Sequence, residues 1–332
     1  MHRGFNPNAS LAEFGEVMAP GESVEPILSK DVRSALMEWL TEIWSADELR
    51  DVGLKPRQRA LFYGPPGTGK TTLAHHLAAR LGLPLVAIRP DRVIDCWLGS
   101  TGKNLGQIFD LAQMPPQGQG PVVLFFDEFE TIARKRTGGA QNAEREMNNV
   151  VSNLLQMIEQ HDGILIAATN LADELDPAIW RRFDVHIDVA LPGARERELI
   201  MARYLRPYGV PASILTKFGE AFSTGSPALI RQFCEAMKRQ IVIGPKVGWD
   251  MARDATVARI LVAVGPHPDA GKPRLWAHGA QDKAVQAMPW PLPQEQDVVE
   301  ADADVGPTGE SNVVALQSAA SKASSGQDAA NR

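Results

Sequence analysis

Two cysteines in 332 residues, Cys96 and Cys234, are too few for a disulfide framework or for a zinc site of their own. Both read as free thiols of a reducing compartment. No stretch approaches the roughly 18 to 20 consecutive apolar residues that a membrane helix needs, and residues 1–16 are polar, without the apolar centre of a secretion signal. The expected location is therefore the cytoplasm, with no membrane partner. An excess of charge of one sign is lacking too. The formal net charge is -6, but residues 294–332 hold seven acids against Lys322 and Arg332, so the rest of the chain carries 32 basic and 33 acidic residues. So neutral a body has no global attraction for nucleic acid. What remains, 44% hydrophobic and 22% charged residues, is the composition of an ordinary globular protein long enough for one large domain or two small ones.

Residues 1–28 are rich in Gly, Pro, Asn and Glu without periodicity and read as a flexible arm. A helix follows from Ser29, with Val32, Leu36, Leu40, Ile43 and Trp44 at helical spacing, until Asp51-Val52-Gly53 and Pro56 break it. Short apolar runs at 60–63, 85–88, 122–126 and 164–168 then alternate with helical patterns at 70–82, 101–113 and 141–160. Strands interleaved with helices mean βαβ units and a mostly parallel sheet. Residues 29–192 are thus expected to form an α/β domain, and 193–264 a small all-helical one. Residues 265–293 are an extension rich in Pro and Trp, and 294–332 a disordered acidic tail.

Three segments carry chemistry. Gly64-Pro65-Pro66-Gly67-Thr68-Gly69-Lys70-Thr71 follows an apolar strand and opens a helix, the context a phosphate-binding loop requires, and Thr72 continues it. Its glycines let backbone N–H groups turn toward phosphates at the positive end of the helix, Lys70 adds a charge, and the Thr71 hydroxyl can ligate Mg²⁺. The apolar strand at 122–126 ends in Asp127 and Glu128. At the carboxyl end of a parallel strand, Asp127 is suited to hold Mg²⁺ through water and Glu128 to act as general base. A third strand ends in Thr169-Asn170, where Asn170 can hydrogen-bond an attacking water or a γ-phosphate.

In this order and spacing, GPPGTGKT, LFFDE and IAATN resemble an AAA+ ATPase of the narrower AAA subfamily over residues 31–243. The resemblance implies a P-loop α/β/α fold with a parallel sheet and helical lid, ATP and Mg²⁺ as cofactors, and a homo-oligomeric ring, expected to be a hexamer. It implies further roles. The segment 175–184 is similar to the one that supplies arginine fingers to a neighbouring subunit, with Arg181 and Arg182 adjacent as in the katanin and spastin group. Trp97 and Leu98 match the first pore loop, which grips a polypeptide; packing of Trp97 beneath helix 101–113 is the alternative. Residues 135–140 stand where a second pore loop would lie. Gly225-Ser226-Pro227-Ala228 resembles the lid segment facing the nucleotide, which assigns Ala228 to it. Arg231 is left open between a second sensor and a surface residue. Val52 and Gly53 stand where the family forms part of its adenine pocket.

The expected function is a ring ATPase that remodels, unfolds or threads protein substrates, with a separate partner that recruits or degrades them. A nucleic-acid-linked ATP switch and a dedicated activator of one enzyme are the alternatives; a neutral body and Trp97 weigh against the first.

Overall fold

The computed structural model describes residues 10–94, 100–113, 120–135, 142–268 and 271–298. Its centre is a sheet of six strands: β1 (Gly15–Met18), β2 (Arg59–Tyr63), β3 (Leu85–Ile88), β4 (Val123–Phe126), β5 (Leu165–Thr169) and β6 (Val185–Asp188), in the spatial order β1-β3-β4-β5-β2-β6. All pairings are parallel except that of β1 with β3. β4 and β5 lie in the middle and are buried along their whole length, which is why they read as continuous apolar runs rather than alternating ones.

The helices of this domain are α1 (Lys30–Trp44), α2 (Ala46–Asp51), α3 (Lys70–Arg80), α4 (Pro90–Val93), α5 (Ser100–Gln113), α6 (Asn142–Gln160) and α7 (Pro177–Trp180). One sheet face, with Leu61, Val86, Leu124 and Leu165, packs on Leu105, Ile108, Val151 and Leu154 of α5 and α6. The other, with Phe62, Leu85, Phe125 and Ile166, packs on Leu36, Trp39, Leu73 and Leu77 of α1 and α3. Local chemistry sets the helix starts. Ser29 caps α1 by accepting from the Val32 N–H at 3.4 Å, and Asp176 caps α7 by accepting from Ala178 at 2.8 Å.

Two strands go beyond the sequence reading. β6 alternates buried Val185 and Ile187 with exposed His186 and Asp188, a pattern too short at four residues to stand out. β1 corrects the reading of residues 1–28 as a flexible arm: residues 10–28 are described, with Leu11 and Phe14 buried and β1 paired from Gly15 opposite Ile88 to Met18 opposite Leu85. Gly15 permits this approach, because a Cβ there would collide with the Ala87 carbonyl.

The second layer comprises α8 (Ala194–Leu205), α9 (Ala212–Ala221), α10 (Pro227–Val247), α11 (Arg253–Ala263), α12 (Arg274–His278) and α13 (Lys283–Ala287). Its core joins Phe218, Phe222, Phe233 and Met237 to Leu275, Val285, Met288 and Leu292. Residues 275–292 are thus part of the helical core. Trp276 and Trp290 pack on it and donate their indole N–H groups to the Val264 and Met251 carbonyls at 2.7 and 2.6 Å. A strap ties the layers together: the Glu25 carbonyl accepts from Arg203 at 2.5 Å, Ile27 packs on the helical core, and Leu28 packs on the sheet. Among the described residues no helix is long and apolar enough to cross a membrane.

One buried group makes this domain sensitive to acid. His161, just after α6, is 4% exposed, meets Phe109 edge-on at 5.4 Å, and neither ring nitrogen has a hydrogen-bond partner. Burial lowers its pKa to about 4; Asp162 opposes this and Arg59 adds to it. The unfolded chain takes up this proton near pH 6.5 and the folded one only near pH 4, so the unfolded state binds more protons between the two. Stability should fall by about 3 kcal/mol as pH drops through that window. Urea midpoints against pH for wild type and His161→Phe check this: the wild-type curve should be steeper, and parallel curves would show that the imidazole is hydrated in the folded state.

Candidate functional site

The site is built where the chain leaves β2. Gly64 takes φ 142°, and a Cβ there would lie 2.5 Å from the Val189 carbonyl oxygen, so this turn admits no side chain. The loop ends at Gly69, in a left-handed conformation, and α3 begins at Lys70 with its first N–H groups free for an anion. Lys70 is 6% exposed, and its Nζ donates to the Gly64 and Pro65 carbonyls at 2.8 and 3.0 Å and to Asn170 Oδ1 at 2.6 Å. Burial pulls its pKa down, while Asp127 and Glu130 push it back up. An ammonium so enclosed, with three neutral acceptors, is poised to trade them for phosphate oxygens.

One residue on, the Thr71 hydroxyl donates to Asp127 Oδ2 at 2.7 Å, joining the helix start to the end of β4. Two hard oxygen donors in contact fit Mg²⁺, which takes few protein ligands and completes its shell with water and phosphate. Glu128 stands beside them with a left-handed backbone, φ 47° and ψ 45°, and its N–H donates to Asp127 Oδ1 at 2.9 Å. A non-glycine residue in this region is strained.

These groups share a cleft of about 320 Å³ between the carboxyl ends of the strands and the helical layer. Of the residues singled out in the sequence, Pro66, Gly67, Gly69, Lys70, Thr71, Thr72, Asp127, Glu128, Asn170 and Ala228 line it. Gly64 and Pro65 shape the loop beneath it, and the Thr68 hydroxyl braces the loop by donating to the Pro65 carbonyl at 3.0 Å. The helical layer closes over Gly67: its carbonyl accepts from the Ala228 N–H at 3.2 Å, and a Cβ on Gly67 would lie 3.0 Å from that of Ala228.

Residues 60–191 match the family model of the ATPase family associated with various cellular activities (AAA). The chain carries an AAA ATPase domain. Among curated proteins, an AAA family ATPase of Sinorhizobium fredii, y4kL, is 44% identical over 179 residues, covering 53% of this chain and 52% of that protein. Protein CdcH of Halobacterium salinarum is 36% identical over 154 residues, 45% of this chain and 20% of CdcH. The ATP-dependent zinc metalloprotease FtsH 1 of Symbiobacterium thermophilum is 32% identical over 204 residues, 60% of this chain and 33% of the protease. The chain thus aligns with about half of the first relative and a smaller share of the other two.

Other expected residues fall outside the cleft of the AAA domain. Val52 and Gly53 do not line it: Val52 is 71% exposed, and a Cβ on Gly53 would touch nothing within 4 Å. They follow the short α2 on the outer surface, whereas the strap at 25–28 runs between the two layers. Arg181 is exposed, and Arg182 pairs with Glu159 at 2.8 Å; neither lines the cleft of its own chain. Trp97 and Leu98 lie outside the described residues, as do 136–140 of the expected second pore loop.

Besides Pro227 at the start of α10, two lining residues come from the helical layer without having been assigned. Arg231 reaches the cleft while keeping a contact with Glu235 at 3.7 Å, and Tyr204 lines it from α8. In the sequence, Tyr204 is one apolar position among many on an amphipathic helix. Only the closure of that helix over the loop sets it apart.

Proposed function

We propose that this protein hydrolyses ATP with Mg²⁺ as a homo-oligomeric ring, a hexamer, and uses the energy to remodel or thread protein substrates. The observation that carries the first part is the junction of Lys70 with Asn170 and of Thr71 with Asp127 in one cleft. The loop amides and Lys70 bind the phosphates, and Thr71 and Asp127 hold the cation. When bound, Mg²⁺ neutralises charge on the phosphate oxygens. Glu128 takes the proton of the attacking water, and Asn170 orients that water or the γ-phosphate. Ala228 and the start of α10 close the cleft from above, with Arg231 adding positive charge at its rim.

Assembly is supported by the arginines. Arg181 and Arg182 lie outside their own cleft, and a guanidinium acts on a phosphoryl group only by touching it. Offered to the next copy, they complete its site. Trp97 and Leu98 grip the substrate in this reading, and a separate recruiting or protease partner chooses its fate.

The test is ATPase rate against protein concentration, with and without an unfolded protein or single-stranded DNA. Specific activity should rise with concentration and respond to the unfolded protein, and Trp97→Ala should abolish that response while leaving basal hydrolysis intact. Stimulation by DNA alone would instead support a nucleic-acid-linked switch.

A further inference from the structure

The segment that ends in the arginine pair is clamped by aromatic rings to the strand that leads into the phosphate loop. α7 is a single turn. Its start is fixed by the buried Asp176 cap, and Ile179 is buried beneath it. Its last residue, Trp180, lies between two rings: it stacks on His186 with centroids 4.4 Å apart and planes at 20°, and it leans on Tyr63 at 5.3 Å. The Trp180 carbonyl accepts from His186 Nε2 at 3.0 Å, which makes Nε2 the protonated nitrogen of that ring. The same carbonyl accepts from the Phe183 N–H at 3.3 Å. Both the ring and the backbone of Trp180 are therefore held from β2 and β6, and Arg181 and Arg182 are the next two residues.

On the other side, Tyr63 is the last residue of β2, registered with Asp188 of β6 and Thr169 of β5. Gly64 follows it, and the Gly64 carbonyl accepts from Lys70 Nζ. A continuous run of contacts thus joins Lys70, Gly64, Tyr63, Trp180 and the arginines. A shift of the loop on taking up phosphate is passed to α7 by contact between rigid rings, with no free segment between them to absorb it.

We propose that Trp180 is a positioning residue that makes the arginine pair follow the nucleotide state of its own chain, so that one site sets the arginines presented to the next. This rests on the reading of Arg181 and Arg182 as acting on a neighbouring copy. Misplacing such a group by about 1 Å costs on the order of 100-fold in rate. Trp180→Ala should therefore lower kcat about 10- to 100-fold. Nucleotide affinity should stay near the wild-type value, the Hill coefficient for ATP should fall toward 1, and Trp180→Phe, which keeps a ring in the clamp, should restore both.

The direct test is spectroscopic and uses the full chain. The difference in emission between wild type and Trp180→Phe isolates the contribution of this indole. It should change on addition of a non-hydrolysable ATP analogue with Mg²⁺, with the midpoint of nucleotide binding, and should not change in the Lys70→Ala background. A chain that binds the analogue while this signal stays constant overturns the proposal. A chain that shows the signal but no turnover overturns the functional reading instead. Should Trp180→Ala not fold, His186→Ala removes one ring and the carbonyl donor without opening a core cavity, and the same loss of kcat at unchanged affinity is expected. Wild-type kcat and Hill coefficient in a folded His186→Ala would also refute the clamp.

Discussion

Arg181→Ala and Arg182→Ala, made separately, are expected to lower kcat of the assembled protein by about 10³- to 10⁵-fold, the range found for fingers that stabilise charge on a transferring phosphoryl group. ATP binding by each chain should be unchanged, because neither residue lines its own cleft. Folding should be little affected. The Arg182 pair with Glu159 is half-exposed, and such a pair contributes at most about 1 kcal/mol. Mixing decides between action in trans and in cis. Glu128→Gln chains bind nucleotide and keep their arginines but lack the base, and Arg182→Ala chains have the reverse. Mixed in equal amounts, the two inactive proteins should recover a share of the wild-type rate at every interface that joins an intact Glu128 to an intact Arg182. Full activity of Arg182→Ala as a monomer would end the trans reading and, with it, the case for the ring.

Glu128→Gln is expected to lower kcat by about 10²- to 10⁴-fold, the usual contribution of a positioned general base. The substitution keeps size and shape but removes the negative charge and the capacity to take a proton, with one acceptor oxygen replaced by an NH₂ donor. The left-handed backbone at 128 and the bond from its N–H to Asp127 are independent of the side chain. The Thr71 to Asp127 contact is likewise untouched, so Mg²⁺ and ATP should bind as before. Titration with a fluorescent ATP analogue, beside single-turnover hydrolysis, separates the two: affinity within a few-fold of wild type and a collapsed chemical step. Loss of affinity in step with rate would place Glu128 among the binding groups and leave the base to be found elsewhere in the cleft.

Much of this site was legible in the chain because it is made by contiguous residues. Backbone N–H groups cradle a phosphate only if successive residues turn them inward, so the loop from Gly64 to Thr71 announces itself as a string of glycines before a lysine. The acids at 127 and 128 announce themselves by ending an apolar run. Val52 and Gly53 are different: only the resemblance assigns them to an adenine pocket. In space Val52 is exposed, and neither residue lines the cleft that holds Lys70 and Asp127.

By itself the sequence determined the parallel α/β order, the helical layer after residue 192, and the places of the loop and the two acids at the strand ends. All of these depend on neighbours within one turn or one strand. Only the tertiary structure decided that residues 10–28 supply an edge strand and a strap, that residues 275–292 complete the helical core, and that Tyr204 and Arg231 reach the cleft. It also decided that Trp180 locks the arginine segment to the strand before the loop. Each of these is a contact between residues far apart in the chain. Such contacts depend on the path of the backbone between them, which the pattern of apolar and polar positions does not encode locally.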